Sequence, residues 1–142
     1  MKIKEFDYLP DDSKIIRKKV FEEEQGFRDE FDETDRTAIH IVMYDGEKAV
    51  ATCRIYRAEE SDTYIVGRVA VLKELRGHGL GSRLVRGIEP VVSELGGREI
   101  ILHSQCTAVD FYRKLGYTEY GEIELEESCP HIWMKKQIGE KT

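Results

Sequence analysis

Apolar and polar positions along this chain switch between a period of two and a period near 3.6, the marks of strand and helix. Lys2 to Phe6 alternates polar and apolar and predicts an edge strand. Asp11, Asp12 and Ser13 are placed to cap a helix carrying Ile15, Ile16, Val20 and Phe21. The acidic stretch after Gly26 has no clear period and reads as a loop or short helical turns. Ala38 to Tyr44 and Lys48 to Tyr56 are strand-like, and Asp45-Gly46 between them is a hairpin signal. Glu59 to Asp62 is a polar turn. Tyr64 to Leu72, with Val66, Val69 and Val71, then reads as a buried central strand.

The next helix has the clearest stripe. Leu84, Val85, Ile88, Val91, Val92 and Leu95 share one face, Pro90 interrupts the backbone pattern, and Gly96-Gly97 stops it. Glu99 to His103 is a short strand. Thr107 and Asp110 resemble a capping box for a helix with Ala108, Phe111, Tyr112 and Leu115, stopped by Gly116. Tyr117 to Leu125 and His131 to Ile138 are two final strands. The order predicts an α/β fold, a mixed β-sheet with helices on both faces, and a single domain over residues 1–142.

Composition narrows the class. A chain of 142 residues with 40% hydrophobic positions is large enough for a core and too apolar to be disordered. No apolar run is long enough to span a membrane, and the N-terminus lacks a secretory signal, so a soluble cytoplasmic protein without a membrane partner is expected. The net charge of −6 argues against nucleic acid as the main partner. Cys53, Cys106 and Cys129 are odd in number and widely spaced, which suits free thiols rather than disulfides, and no spacing suggests a metal site. Charge is unevenly distributed. Glu22 to Asp35 is strongly acidic, and Arg68 to Arg86 is basic. Such runs are usually solvated faces, but this pair would also suit a protein that binds a cation at one place and an anion at another.

The basic run contains Leu75-Arg76-Gly77-His78-Gly79-Leu80-Gly81-Ser82, just before the long helix. Glycines there let the backbone turn sharply, and first-turn amides with the helix dipole can hold phosphate. A glycine-rich turn with no ligand is the alternative. The P-loop needs a Lys-Ser or Lys-Thr pair after its glycines, and a dinucleotide fingerprint needs Gly-x-Gly-x-x-Gly; neither is present.

Arg-x-x-Gly-x-Gly, here Arg76, Gly79 and Gly81, resembles the pyrophosphate signature of the GNAT superfamily of N-acetyltransferases. Ala108, Phe111, Tyr112, Leu115, Gly116 and Tyr117 resemble a second motif of that family, in the expected order. The resemblance covers nearly the whole chain and implies the GNAT fold with acetyl-coenzyme A as co-substrate and no metal. It implies that the main chain of Val69, Ala70 and Val71 pairs with the pantetheine arm, and that Arg76, Gly77, His78, Gly79, Leu80, Gly81 and Ser82 hold the diphosphate. Tyr112 falls at the position of the acid that protonates the leaving thiolate, a role a phenol can fill at neutral pH.

A protonated amine acceptor also needs a base. His131, in Pro-His-Ile-Trp-Met, is one candidate, with His103, His40 and carboxylates such as Glu30, Asp32, Glu33 and Asp35 as competitors. The segment around Gln25, Glu30 and Asp32 is similar to the acceptor side of a bacterial subgroup of the family. With His103, these residues are the expected acceptor contacts, and their acidity suggests a small cationic amine. Cys106 as a covalent nucleophile is a minor alternative to direct transfer in a ternary complex. A non-catalytic acyl-coenzyme A-binding module and a protein-lysine acetyltransferase remain the competing functions, and monomer and homodimer both remain open.

Overall fold

The computed structural model describes residues 1–28, 31–59 and 61–139. The strands are β1 (Lys2–Phe6), β2 (Ile39–Asp45), β3 (Lys48–Arg57), β4 (Thr63–Val71), β5 (Glu99–Gln105), β6 (Thr118–Glu126) and β7 (Cys129–Gln137). They form one mixed sheet in the order β1-β2-β3-β4-β5-β7-β6, in which β4 and β5 run parallel. The α-helices are α1 (Asp11–Arg17), α2 (Leu80–Glu94) and α3 (Val109–Lys114). Contacts group the chain into two compact units, Met1–Tyr56 with Gly67–Gly87, and Arg57–Val66 with Ile88–Thr142.

In the first unit β1, β2 and β3 form an antiparallel meander, with Asp45 paired to Lys48 across the turn. Gly46 takes the left-handed conformation that this tight turn demands, at φ 63°. His40, Ile41, Val42 and Met43 are buried in succession, so β2 is covered on both faces. Ile16 and Val20, one helical turn apart, pack with Ala70 and Leu72, and Phe21, Ala49 and Leu75 close over them.

Ile15 is 53% exposed, because a residue adjacent to Ile16 on a helix projects about 100° away from it. The expected acidic cap is also absent: Pro10 is the N-cap of α1, and no side chain caps the helix. The capping candidates have tertiary partners instead. Asp12 accepts a hydrogen bond from Tyr44 Oη at 2.6 Å, while Ser13 bonds Thr52 Oγ1, which itself donates to the Ile41 carbonyl. Beyond Arg17 the helix widens into a π-helical stretch, Lys18–Glu24.

Buried charge also organises this unit. Arg17, 1% exposed, makes a two-pronged ion pair with Asp35, at 2.7 and 3.1 Å. Arg54 contacts the same carboxylate at 2.9 Å, and the Asp32 amide donates to it at 3.0 Å. Burial would raise the Asp35 pKa, but these hydrogen bonds outweigh it and hold the value at about 2. Asp32 in turn pairs with Arg54 at 2.5 and 3.1 Å and with Arg68 at 3.3 Å.

In the second unit Thr63 to Val66 of β4 pairs with Glu99 to Leu102 of β5, and β5 and β6 flank β7. Ile100, Leu102 and Ser104 point to the buried side of β5. On β7, Met134 is fully buried, and Lys136 donates from Nζ to Glu89 of α2 at 2.9 Å and to the Leu115 carbonyl at 2.8 Å. That lysine satisfies an orphan carbonyl at the end of α3. Thr107 lies in a 3-10 turn, Cys106–Ala108, so the expected capping box does not form and Ala108 is the N-cap of α3. Leu95 lies past the end of α2 and is 44% exposed.

The Asp35 network sets an acid-stability prediction. Its folded pKa lies below the ordinary value of 3.8, so its stabilisation is complete above 3.8 and is lost as pH falls toward about 2. Asp35→Asn leaves two buried guanidiniums without their shared carboxylate and is expected to cost about 3–5 kcal/mol in urea unfolding at pH 7. The difference from wild type should shrink between pH 4 and pH 2, the window set by the Asp35 pKa of about 2.

Candidate active site

The glycine loop lies in the first unit. After β4 the chain makes a 3-10 turn, Lys73–Leu75, and Arg76 is extended at φ −72°, ψ 157°. Gly77 and Gly79 then take φ 86° and 76°, and α2 starts at Leu80. A side chain on either glycine would meet no atom within 4 Å, so backbone conformation rather than space requires glycine there. Residues 76–79 are exposed, and Arg83 N donates to the Gly79 carbonyl at 3.1 Å, the first bond of the helix. The amides of Leu80, Gly81 and Ser82 precede that bond and have no intrahelical acceptor, at the positive end of a 15-residue helix.

Arg76 braces this loop. Its Nε donates to the Val71 carbonyl at 3.1 Å, and its guanidinium makes two bonds to Glu24, at 2.5 and 2.7 Å. The hydrogen bond from Arg76 holds the Glu24 pKa below the usual carboxylate range. Glu24 ends the π-helical stretch, and Gln25 beside it is exposed. The acidic composition of the segment did not distinguish Glu24 from its neighbours, because its partner lies 52 residues away.

Ala70 is buried, while Val69 and Val71 are half-buried rather than the core valines expected. Just before them Arg68 has φ 54°, a left-handed residue within β4. A non-glycine residue in that region is strained and redirects the peptide groups on either side, as at a β-bulge.

Asp32 sits between Arg54 and Arg68, and the Arg54 hydrogen bond comes first among the causes that lower its pKa. Glu30 lies outside the described residues. His40 is fully buried and donates from Nε2 to the Asp35 carbonyl at 2.9 Å, and burial lowers its pKa. It therefore supports the Asp35 network.

The second unit brings His103 and His131 together. Their rings are 5.0 Å apart, and His103 stacks on Trp133 at 4.7 Å and 21°. Cross-strand pairs Gln105↔His131 and His103↔Trp133 put these side chains on one sheet face, opposite that of Met134 and Lys136. Glu126 joins both rings. His103 Nδ1 donates to Glu126 Oε1 at 2.8 Å, and His131 Nε2 lies 3.4 Å from Glu126 Oε2. Glu124, the cross-strand partner of His131, lies 3.7 Å from His103 Nε2.

The β6–β7 turn that holds Glu126 has two left-handed non-glycine residues, Glu127 at φ 46° and Ser128 at φ 70°. Glu126 and Trp133 were missed from sequence. The alternation Glu122, Glu124, Glu126 on a strand was the available signal.

Tyr112 is 8% exposed and packs edge-to-face on Phe111 and Tyr117, with centroids at 5.0 and 5.9 Å. All three cysteines are free; Cys106 is half-buried, and burial pushes the Cys53 pKa up to about 12. Among the described residues no group of His, Cys, Asp and Glu is arranged to hold a metal, and no helix is long and apolar enough to cross a membrane.

Comparison with known proteins identifies the family. Residues 7–138 match the acetyltransferase (GNAT) domain. The chain is 36% identical over 128 residues to the uncharacterized N-acetyltransferase YjcF of Bacillus subtilis (strain 168), covering 88% of this chain and 90% of that one. The fold matches Escherichia coli ElaA with a TM-score of 0.85 at 23% identity, over 96% of this chain and 99% of that one. It also matches an aminoglycoside 6′-N-acetyltransferase complexed with coenzyme A, with a TM-score of 0.75 at 21% identity, over 100% and 99% of the two chains. The chain belongs to the GNAT family and is an N-acetyltransferase.

The loop geometry makes a stability prediction. Gly79→Ala forces a β-carbon into the left-handed region and is expected to cost about 1–2 kcal/mol in chemical unfolding. Gly81→Ala, inside α2, is expected to be neutral or to stabilise by up to about 1 kcal/mol.

Proposed function

We propose that this enzyme binds acetyl-coenzyme A as a co-substrate and transfers its acetyl group directly to the primary amine of a small, cationic acceptor. The observation that carries this reading is the exposed left-handed turn of Gly77 and Gly79 at the N-terminus of α2. Its free amides and the helix dipole suit a diphosphate. Arg76, held by Glu24 and the Val71 carbonyl, keeps the loop in shape. The main chain of Val69, Ala70 and Val71 follows the strained Arg68 and lies beyond Val66, where the β4–β5 ladder is still paired. Those peptide groups are assigned to the pantetheine arm and the acetyl carbonyl.

Two side chains are assigned to proton movement. His131 Nδ1 donates to the Cys129 carbonyl at 2.9 Å, which leaves Nε2 as the basic nitrogen. Nε2 takes one proton from the acceptor ammonium, and the freed amine attacks the carbonyl. Tyr112 gives its phenolic proton to the departing sulfur and recovers one from the new amide nitrogen. The net product is one proton, carried by His131 and released to solvent. The helices α2 and α3 contact Lys136 on one sheet face, and His131 lies on the other.

Saturating acetyl-coenzyme A is expected to raise Tm, with about 2.7 kcal/mol of stabilisation at a hundredfold excess over Kd. Gly81→Asp, which places a carboxylate among the same amides, should abolish the rise. An unchanged wild-type Tm would refute the reading. Tyr112→Phe should keep the Tm response and lower kcat by about a hundredfold or more; unchanged turnover would remove Tyr112 as the acid.

A further inference from the structure

With its ring neutral, His131 turns a proton acceptor, Nε2, toward a second acceptor, Glu126 Oε2. His131 is only 5% exposed, and its Nδ1–H is committed to the Cys129 carbonyl. In the neutral ring Nε2 therefore presents a lone pair, and it faces Glu126 Oε2 at 3.4 Å. A carboxylate oxygen and an imidazole lone pair at that distance repel unless a donor lies between them. The other oxygen of Glu126 is fixed by the His103 Nδ1–H at 2.8 Å, and His103 is fixed by stacking on Trp133. The carboxylate is thus aimed, and the hairpin that carries it is held in a strained turn.

We infer that Glu126 Oε2 and His131 Nε2 together seat the ammonium group of the acceptor, with Glu126 as its specificity-determining anchor. This rests on the proposed function and assigns its amine end. A primary ammonium has three N–H donors, enough to satisfy both acceptors at once. A quaternary ammonium has none. When the ammonium N–H bond breaks, its electron pair stays on the amine nitrogen and its proton moves to His131 Nε2. The imidazolium so formed then pairs with Glu126 directly. One carboxylate therefore serves the bound cation before transfer and the stored proton after it. Glu124, 3.7 Å from His103 Nε2, adds negative charge at the rim, and no cationic side chain is paired to Glu126 among the described residues. This differs from Asp32, whose carboxylate is bound by Arg54 and Arg68.

Trp133 is the only tryptophan in the chain and stacks on His103, so its fluorescence reports on this site. Titration of the purified protein with n-butylammonium chloride should change that fluorescence saturably, and tetramethylammonium chloride at equal ionic strength should not. Glu126→Gln keeps an oxygen for His103 Nδ1–H but turns an amide N–H toward His131 Nε2. It should fold with an unchanged Tm and weaken n-butylammonium binding by about tenfold or more. Glu126→Asp, which keeps the charge, should recover part of the binding, and Glu122→Gln should bind like wild type. With n-butylamine as acceptor, Glu126→Gln should raise the amine KM while leaving the acetyl-coenzyme A KM unchanged. Equal binding of the two cations, or wild-type binding by Glu126→Gln, would overturn the assignment. The expected binding pattern without acetyl transfer would support the ammonium seat and count against the catalytic reading.

Discussion

A single buried carboxylate, Asp35, anchors the first unit. It ties Arg17 of α1 to Arg54 of β3, and its own backbone carbonyl is held by His40 of β2. Separating either arginine from it would strand a charge in the interior, an expensive state. The arrangement is therefore a strong constraint on how α1 and the segment before β2 sit against the meander. Asp32 and Asp35 are neutralised by guanidiniums of the same chain, so the segment is much less anionic than its composition suggests.

Two other constrained pieces of backbone lie in the segments proposed to bind the co-substrate. Left-handed glycines present the amides at the start of α2, and a left-handed Arg68 precedes the main chain assigned to the acetyl-bearing arm. A third, the Glu127-Ser128 turn, aims Glu126 at two imidazoles. The left-handed conformation is strained at Arg68, Glu127 and Ser128, which carry a β-carbon, whereas Gly77 and Gly79 adopt it without steric cost.

Much of the fold was legible because burial periodicity is a local property. The strands β1 through β4, the stripe of α2 and the stop at Gly96 all follow from residues a few positions apart. Local signals failed where a distant partner competed for the same side chain. Asp12 and Ser13 abandon the cap of α1 for Tyr44 and Thr52. Ile15 sits outside the core because the stripe follows Ile16 and Val20 instead. The glycine turn was legible because it depends on consecutive residues, whereas the roles of Glu24 and Glu126 became visible only with their partners in place.

The amino-acid sequence by itself determined the mixed α/β architecture, the family and the glycine turn before α2, since each depends on short-range spacing. Only the tertiary structure decided which charges are paired within the chain. Ion pairs such as Arg76 with Glu24 join residues 52 positions apart, and Glu126 meets His103 across 23. Electrostatic attraction depends on separation in space, and separation along the chain carries no record of it.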